Sequence, residues 1–158
     1  MELSTAVNRE LRGAFRTYAD HVGQLSEGLS DEQFWLNPYP YGNSFGHLVL
    51  HLTGNLNEYI GAQIADTGYL REREREFTET ARPPKKDVVA AFDRTTEMVL
   101  EVLSAQKAES LVAIPADSEG THFSNESRFG VFLHCVSHLN HHVGQMIYLE
   151  KELSKTAS

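Results

Sequence analysis

The sequence has a single cysteine, Cys135, among its 158 residues. No disulfide can form within the chain, and a reducing compartment suits it. Positive charge is scarce as well: 14 lysines and arginines stand against 22 aspartates and glutamates, a formal net charge of -8. Without a local basic patch, such a chain has no broad attraction to the phosphates of nucleic acid or anionic lipid, so neither is expected as a partner. No apolar run approaches the roughly 18 residues that a membrane-spanning helix needs. The opening Met1-Glu2-Leu3-Ser4-Thr5 also lacks the basic and apolar regions of a secretory signal, and the expected location is cytoplasmic. There is no internal repeat and no linker between two halves. With 41% hydrophobic and 23% charged residues, the composition is that of a folded globular protein, and residues 1–158 are expected to form a single domain around one core.

Helical periodicity fills most of the chain. Leu3, Val7, Leu11, Phe15, Tyr18, Val22, Leu25 and Leu29 recur at intervals of three and four, predicting a first amphipathic helix. Ser30 and Gln33 form a capping-box pattern that opens a short helical turn, ended by Asn37-Pro38; Pro38, Pro40 and Gly42 then make a loop. Asn43 or Ser44 can cap a second long helix, with Phe45, Leu48, Val49, Leu52, Leu56, Tyr59, Ile60 and Ile64 on one face and an end near Gly68. The alternating run from Arg71 to Glu76 reads as a solvated crossover, because residues four apart carry like charge. Pro83-Pro84 introduce a third helix over about Lys85 to Ala105. Residues from about Lys107 to Asn125, with Pro115, Asp117 and Gly120, lack a period and read as a long loop with room for a short extended piece. Ser124 or Asn125 is placed to cap a fourth long helix, carrying Phe129, Phe132, Val136, Leu139, Val143, Met146 and Ile147 and running to about Leu153, after which the end frays. The expected fold is all-α: a four-helix bundle with a long crossover between its second and third helices.

Four of the eight histidines fall between His134 and His142. At about 100° per residue, His142 lies roughly 100° and His138 roughly 140° from Val143 at the centre of the apolar stripe, whereas His134 is about opposite and His141 points out with it. His138 and His142 therefore border the core in the i, i+4 relation that lets two imidazoles share one ion. On the second helix His51 lies nearer the stripe than His47, which makes it the better third ligand. Three neutral imidazoles with a fourth position left open suit a catalytic metal, zinc first, with nickel, iron or copper also compatible. The plainer alternative is a set of histidines with ordinary hydrogen bonds. Asn55, one turn beyond His51, Gln145, near His138 on the wheel, and His47 are candidates to orient a ligand or a bound water. No catalytic acid or base stands out beyond Glu58. A Cys135–His138 nucleophile is a further option, set against a small buried packing cysteine.

The segments FGHLVLHLTGNLNEYI and HLNHHVGQMIYL, with the order of elements between them, resemble the DinB-like, YfiT-type superfamily over nearly the whole chain. The resemblance implies a four-helix bundle in which one histidine of the second helix and an HxxxH pair of the last bind a divalent metal, here His51, His138 and His142. It also implies a metal-dependent transferase or isomerase acting with a low-molecular-weight thiol such as mycothiol, bacillithiol or glutathione, and often a homodimer. In the transferase reading the metal holds the thiol as a thiolate for attack on a small-molecule electrophile. Arg71, Arg73, Arg75 and Arg128 are then the cations available to the rest of the thiol. Two other readings stay open: a metal-binding or stress-related homodimer without catalysis, and metal-assisted hydrolysis.

Overall fold

In the computed structural model, which describes residues 2–116 and 122–155, the chain forms helices, and no strand occurs among the described residues. Helix α1 (Leu3–Glu27) buries Leu11, Phe15, Ala19 and Val22, spaced three and four apart. Helix α2 (Asp31–Trp35) starts at the Ser30–Gln33 capping box that the sequence predicts. Helix α3 (Phe45–Leu56) is capped by Ser44, whose hydroxyl accepts the His47 N–H. It runs without a break into a π-helical turn (Asn57–Ala62) and a short α4 (Gln63–Ala65), ending at Asp66 in the left-handed region rather than at Gly68. After α5 (Arg75–Thr78) come α6 (Lys85–Ser104), α7 (Ala108–Val112) and α8 (Arg128–Lys155).

Side-chain contacts fix the direction of each long helix. Lys85, at the start of α6, donates to the Ser26 and Leu29 carbonyls at the end of α1, and Asn8 near the start of α1 donates to the Gln106 carbonyl beyond α6. These two helices are antiparallel. Gln33 donates to the Leu153 carbonyl, bringing the end of α1 beside the end of α8, so those two run the same way. Asn57 meets Thr95 and Gly61 lies against Met98, which makes α3 and α6 parallel. The result is an up-down-down-up bundle in which α1 packs on α6 and α8, and α3 packs on the same two. Two neighbouring parallel helices cannot be joined by a tight turn, since the chain must travel back one helix length. Residues 66–84 are that return, and α5 within them packs on α3.

The core is shared by all four long helices. Phe15, Phe34, Phe45, Phe92 and Phe132 are fully buried, together with Leu52, Leu56, Leu103, Leu139 and Met146. Three expectations need correction. The stretch after Lys107 is not loop throughout, because α7 forms there and packs its Leu111 into the core; Asp117 and Gly120 lie outside the described residues. Helix α8 begins later than Ser124 or Asn125 would place it: Ser127 is its cap, its hydroxyl accepting the Gly130 N–H and its carbonyl the Val131 N–H. Phe129, expected on the apolar stripe, is helical but 38% exposed. Ser154 and Lys155 are still helical, and the three residues after them are outside the described residues. No helix among the described residues is long and apolar enough to cross a membrane.

Candidate metal centre

Helix α3 turns His51 into the seam with α8, and α8 presents His138 and His142 one turn apart on the facing side. The Nε2 atoms converge: His138 Nε2 is 3.1 Å from that of His51 and 3.0 Å from that of His142. The three side chains thus form a group able to share one ion, with His51 buried and the other two half-buried. His134 and His141, the outward pair of the sequence reading, are exposed. His134 stacks near His138 at 6.1 Å and packs against Phe123, while His141 reaches Gln145.

The orientation of each ring follows from what its other nitrogen touches. His51 Nδ1–H donates to Glu76 Oε2 at 2.8 Å; a carboxylate only accepts, so the lone pair of His51 sits on Nε2 and faces the seam. His142 Nδ1–H donates to Gln145 Oε1 at 2.7 Å, with the same result. Glu76 is itself gripped by Arg71, through Nε to Oε1 at 2.6 Å and Nη2 to Oε2 at 2.8 Å. Burial by itself would raise the Glu76 pKa, but hydrogen bonds from His51 and Arg71 outweigh it and hold the carboxyl below its ordinary value. The approach is possible because Gly54 has no side chain: a Cβ there would stand 2.1 Å from Glu76 Oε1. Phe77, next in the chain, lays its ring 4.9 Å from that of His51.

The charged run is therefore not a solvated crossover at its ends. Glu72 to Arg75 face water, but the Arg71 and Glu76 side chains are only 8% and 7% exposed. Sequence periodicity missed both, because alternating charge reads as surface. A usable signal existed in two rules taken together: a ligand histidine wants a carboxylate behind it, and the crossover must pass back over α3. An acidic residue followed directly by Phe77 marks where that crossover dips inward.

The donor set fits a divalent cation. Two lone pairs, on His51 and His142, point at a third nitrogen at hydrogen-bond distance, and one N–H on His138 could satisfy only one of them. Tetrahedral ligation at about 2.0–2.1 Å would put nitrogen neighbours about 3.3 Å apart, close to what the side chains already adopt. Protons compete weakly here. Burial first, and then the neighbouring His142, His51, His134 and His141, pulls His138 down to about 3. Burial likewise brings His142 down to about 4, against the opposing pull of its bond to Gln145. Both are neutral, the form that ligates metal.

These shifts have a sign that can be measured without metal. The unfolded chain protonates both imidazoles near 6.5, the folded chain only near 3 and 4, so the unfolded state takes up protons first as pH falls. The stability contributed by the neutral pair is complete above 6.5 and is lost progressively as pH falls toward 4 for His142 and toward 3 for His138. In chelator-treated protein the urea midpoint is expected to fall between pH 7.5 and 5, and His138→Gln should shrink that fall. A midpoint that stays level or rises on acidification would contradict the buried neutral pair.

The remaining sequence candidates lie as follows. His47 receives the Ser44 hydroxyl at Nδ1 (2.7 Å) and donates from Nε2 to the Glu79 carbonyl (3.1 Å), pinning the crossover to the start of α3. Asn55 is 5% exposed, and its Oδ1 has no partner among the described residues. Glu58 sits on the π turn, where its charge acts on Tyr69 and Arg71. Arg73 lies over the Phe77 ring, Arg75 pairs with Glu72 and Glu79, and Arg128 donates to Gln106. Cys135 is fully buried, and burial pushes its thiol up to about 12, so it packs rather than reacts.

No curated protein is similar enough to match the chain. A family model described as mycothiol-S-transferase matches residues 10–153, a span that includes all three converging histidines and Glu76. The chain accordingly belongs to the mycothiol S-transferase family, within the DinB/YfiT-like metal-dependent superfamily.

Proposed function

We propose that the protein is a metal-dependent thiol S-transferase whose divalent ion is held by Nε2 of His51, His138 and His142. The observation that carries this reading is the convergence of three imidazole nitrogens, two of them already stripped of protons on the inward side by Glu76 and Gln145. Zinc or nickel suits an all-imidazole set. When bound, the ion would supply the positive charge that keeps a small thiol ionised near neutral pH. Everything else is the work of the chain. Arg71 and Glu76 hold His51 in one tautomer and one rotamer, and Gln145 does the same for His142. Phe77 packs its ring against that of His51. Three protein ligands leave an open side at which a low-molecular-weight thiol can be presented to an electrophile. Mycothiol, the thiol in the family's description, is the first to test.

The test begins with metal analysis of untagged protein after reconstitution with zinc or nickel, where close to one ion per chain is expected. Conjugation of mycothiol, bacillithiol and glutathione to a common electrophile should then exceed the uncatalysed rate for at least one thiol and stop on chelation. A protein that binds metal but accelerates none of these reactions would favour a non-catalytic bundle, and one that binds no metal would overturn the reading outright.

A further inference from the structure

The seam between α3 and α8 continues past the histidines into a pocket of about 300 Å³ that the metal centre leaves unused. Tyr39, Tyr41 and Tyr148 line it with Leu48, Leu149 and Gln145, and none of its lining residues is charged, in a chain of net charge -8. Tyr39 and Tyr41 stack at 5.5 Å with their planes 8° apart, and the Tyr39 hydroxyl donates to the Tyr148 carbonyl at 3.4 Å. Tyr41 and Tyr148 are 71% and 70% exposed. Large aromatic surface left open to water beside a candidate reaction centre marks a place where something apolar binds.

The pocket is joined to the centre through shared residues. Gln145 lines it and also accepts the hydrogen bond from His142. Leu48 stands three residues before His51 on α3, and Gln145 three residues after His142 on α8. At a rise of about 1.5 Å per residue, the pocket begins roughly 4.5 Å along the same seam. A molecule seated there meets the centre at Gln145, the side chain that holds His142. The chemistry of the walls selects its class: flat π faces and two leucines favour a neutral, planar ring, while the Asn43 amide, the Tyr41 hydroxyl and the Lys151 ammonium, 5.9 Å from the Tyr148 ring centroid, suit electron-withdrawing polar substituents on it.

We propose that this pocket is the electrophile subsite, taking a neutral planar aromatic or conjugated compound through Tyr41, Tyr148 and the stacked Tyr39. The proposal rests on the transferase reading given above, and its test separates the two. With metal-loaded protein and the preferred thiol, 1-chloro-2,4-dinitrobenzene is compared with iodoacetamide. In the first reaction the thiolate sulfur forms a bond to the ring carbon, the carbon–chlorine bond breaks, and chloride leaves with its electron pair. In the second, a carbon–sulfur bond forms as iodide leaves in the same way; in both, the thiol proton goes to solvent.

Tyr148→Ala and Tyr41→Ala should each raise KM for the aromatic electrophile and lower the aromatic-to-acyclic ratio of kcat/KM by about tenfold, the scale of one aromatic contact. Their metal content and unfolding midpoints should match wild type. Independently, 1,3-dinitrobenzene, which has no leaving group, should shift the NMR signals of the Tyr39, Tyr41 and Tyr148 rings and the Gln145 side-chain amide, and Tyr148→Ala should weaken that response. Shifts at these groups in a protein that conjugates nothing would sink the transferase reading while leaving the pocket assigned to planar aromatics. Active enzyme whose ratio is unchanged in both variants, or whose tyrosines ignore the probe, overturns the subsite.

Discussion

His51→Ala, His138→Ala and His142→Ala are each expected to lose metal affinity on the order of a thousandfold, well beyond the roughly 10–100-fold that follows from disturbing a group behind a ligand. Removing one of three imidazoles leaves two ligands, and the conjugation rate should fall to background in all three variants. His51→Ala should be the most severe. It strands the Glu76–Arg71 pair against an empty space in the seam, whereas His138 and His142 are half-buried and border solvent. Calorimetric titration reads the affinity. Thermal unfolding gives a second view, since metal raises the midpoint of a protein that binds it only when folded. Wild type should rise on addition of metal and the three variants should not. If His134→Ala or His141→Ala abolished binding and these three kept it, the ligand set would be wrong.

The second large effect concerns Gly54 and depends on what faces it. An added Cβ would overlap Glu76 Oε1, so Gly54→Ala in the wild-type chain must push the carboxylate away from both His51 and Arg71. Metal affinity should fall about 10–100-fold. Stability should fall by about 3 kcal/mol, because a buried guanidinium loses its counter-charge. In a Glu76→Ala background the obstruction is gone, and the same substitution gains the helix propensity of alanine over glycine, up to about 1 kcal/mol. The sign of its effect is thus expected to reverse. Urea unfolding of the four proteins in this double-mutant cycle measures it, and an equal destabilisation in both backgrounds would show that Gly54 does not act through Glu76.

Much of the bundle could be read from periodicity alone, because α1, α3, α6 and α8 each carry a stripe at helical spacing and meet each other through it. The histidines could be sorted for the same reason: a wheel drawn on Val143 separates His138 and His142 from His134 and His141, and the fold brings the first two together with His51. What periodicity cannot see is a side chain that enters the core from a non-periodic segment. Arg71 and Glu76 belong to a crossover whose local pattern is that of surface, and their burial is decided by α3 lying beneath them and by the missing side chain at Gly54. The start of α8 departs from its sequence signal for a related reason. Ser124, Asn125 and Ser127 all have capping side chains, and only the geometry at Gly130 selects the last of them. The tyrosine pocket joins residues 39 and 41 to residue 148, too far along the chain for any local window to connect.

The π turn at Asn57–Ala62 gives α3 two phases. An uninterrupted α-helix keeps one angular setting along its length, so a choice that aims His51 at α8 would also dictate where Asn57 and Gly61 point two and three turns later. One extra residue in the turn resets that angle by about 100°. The upstream half can then set His51 against α8 and the crossover while it also packs on α6, and the π turn takes its own angle toward Thr95 and Met98. His51 and the contacts of the π turn are in this way set at different angles about one helix axis. A chain that lost the extra residue would have to realign one half of the helix or the other.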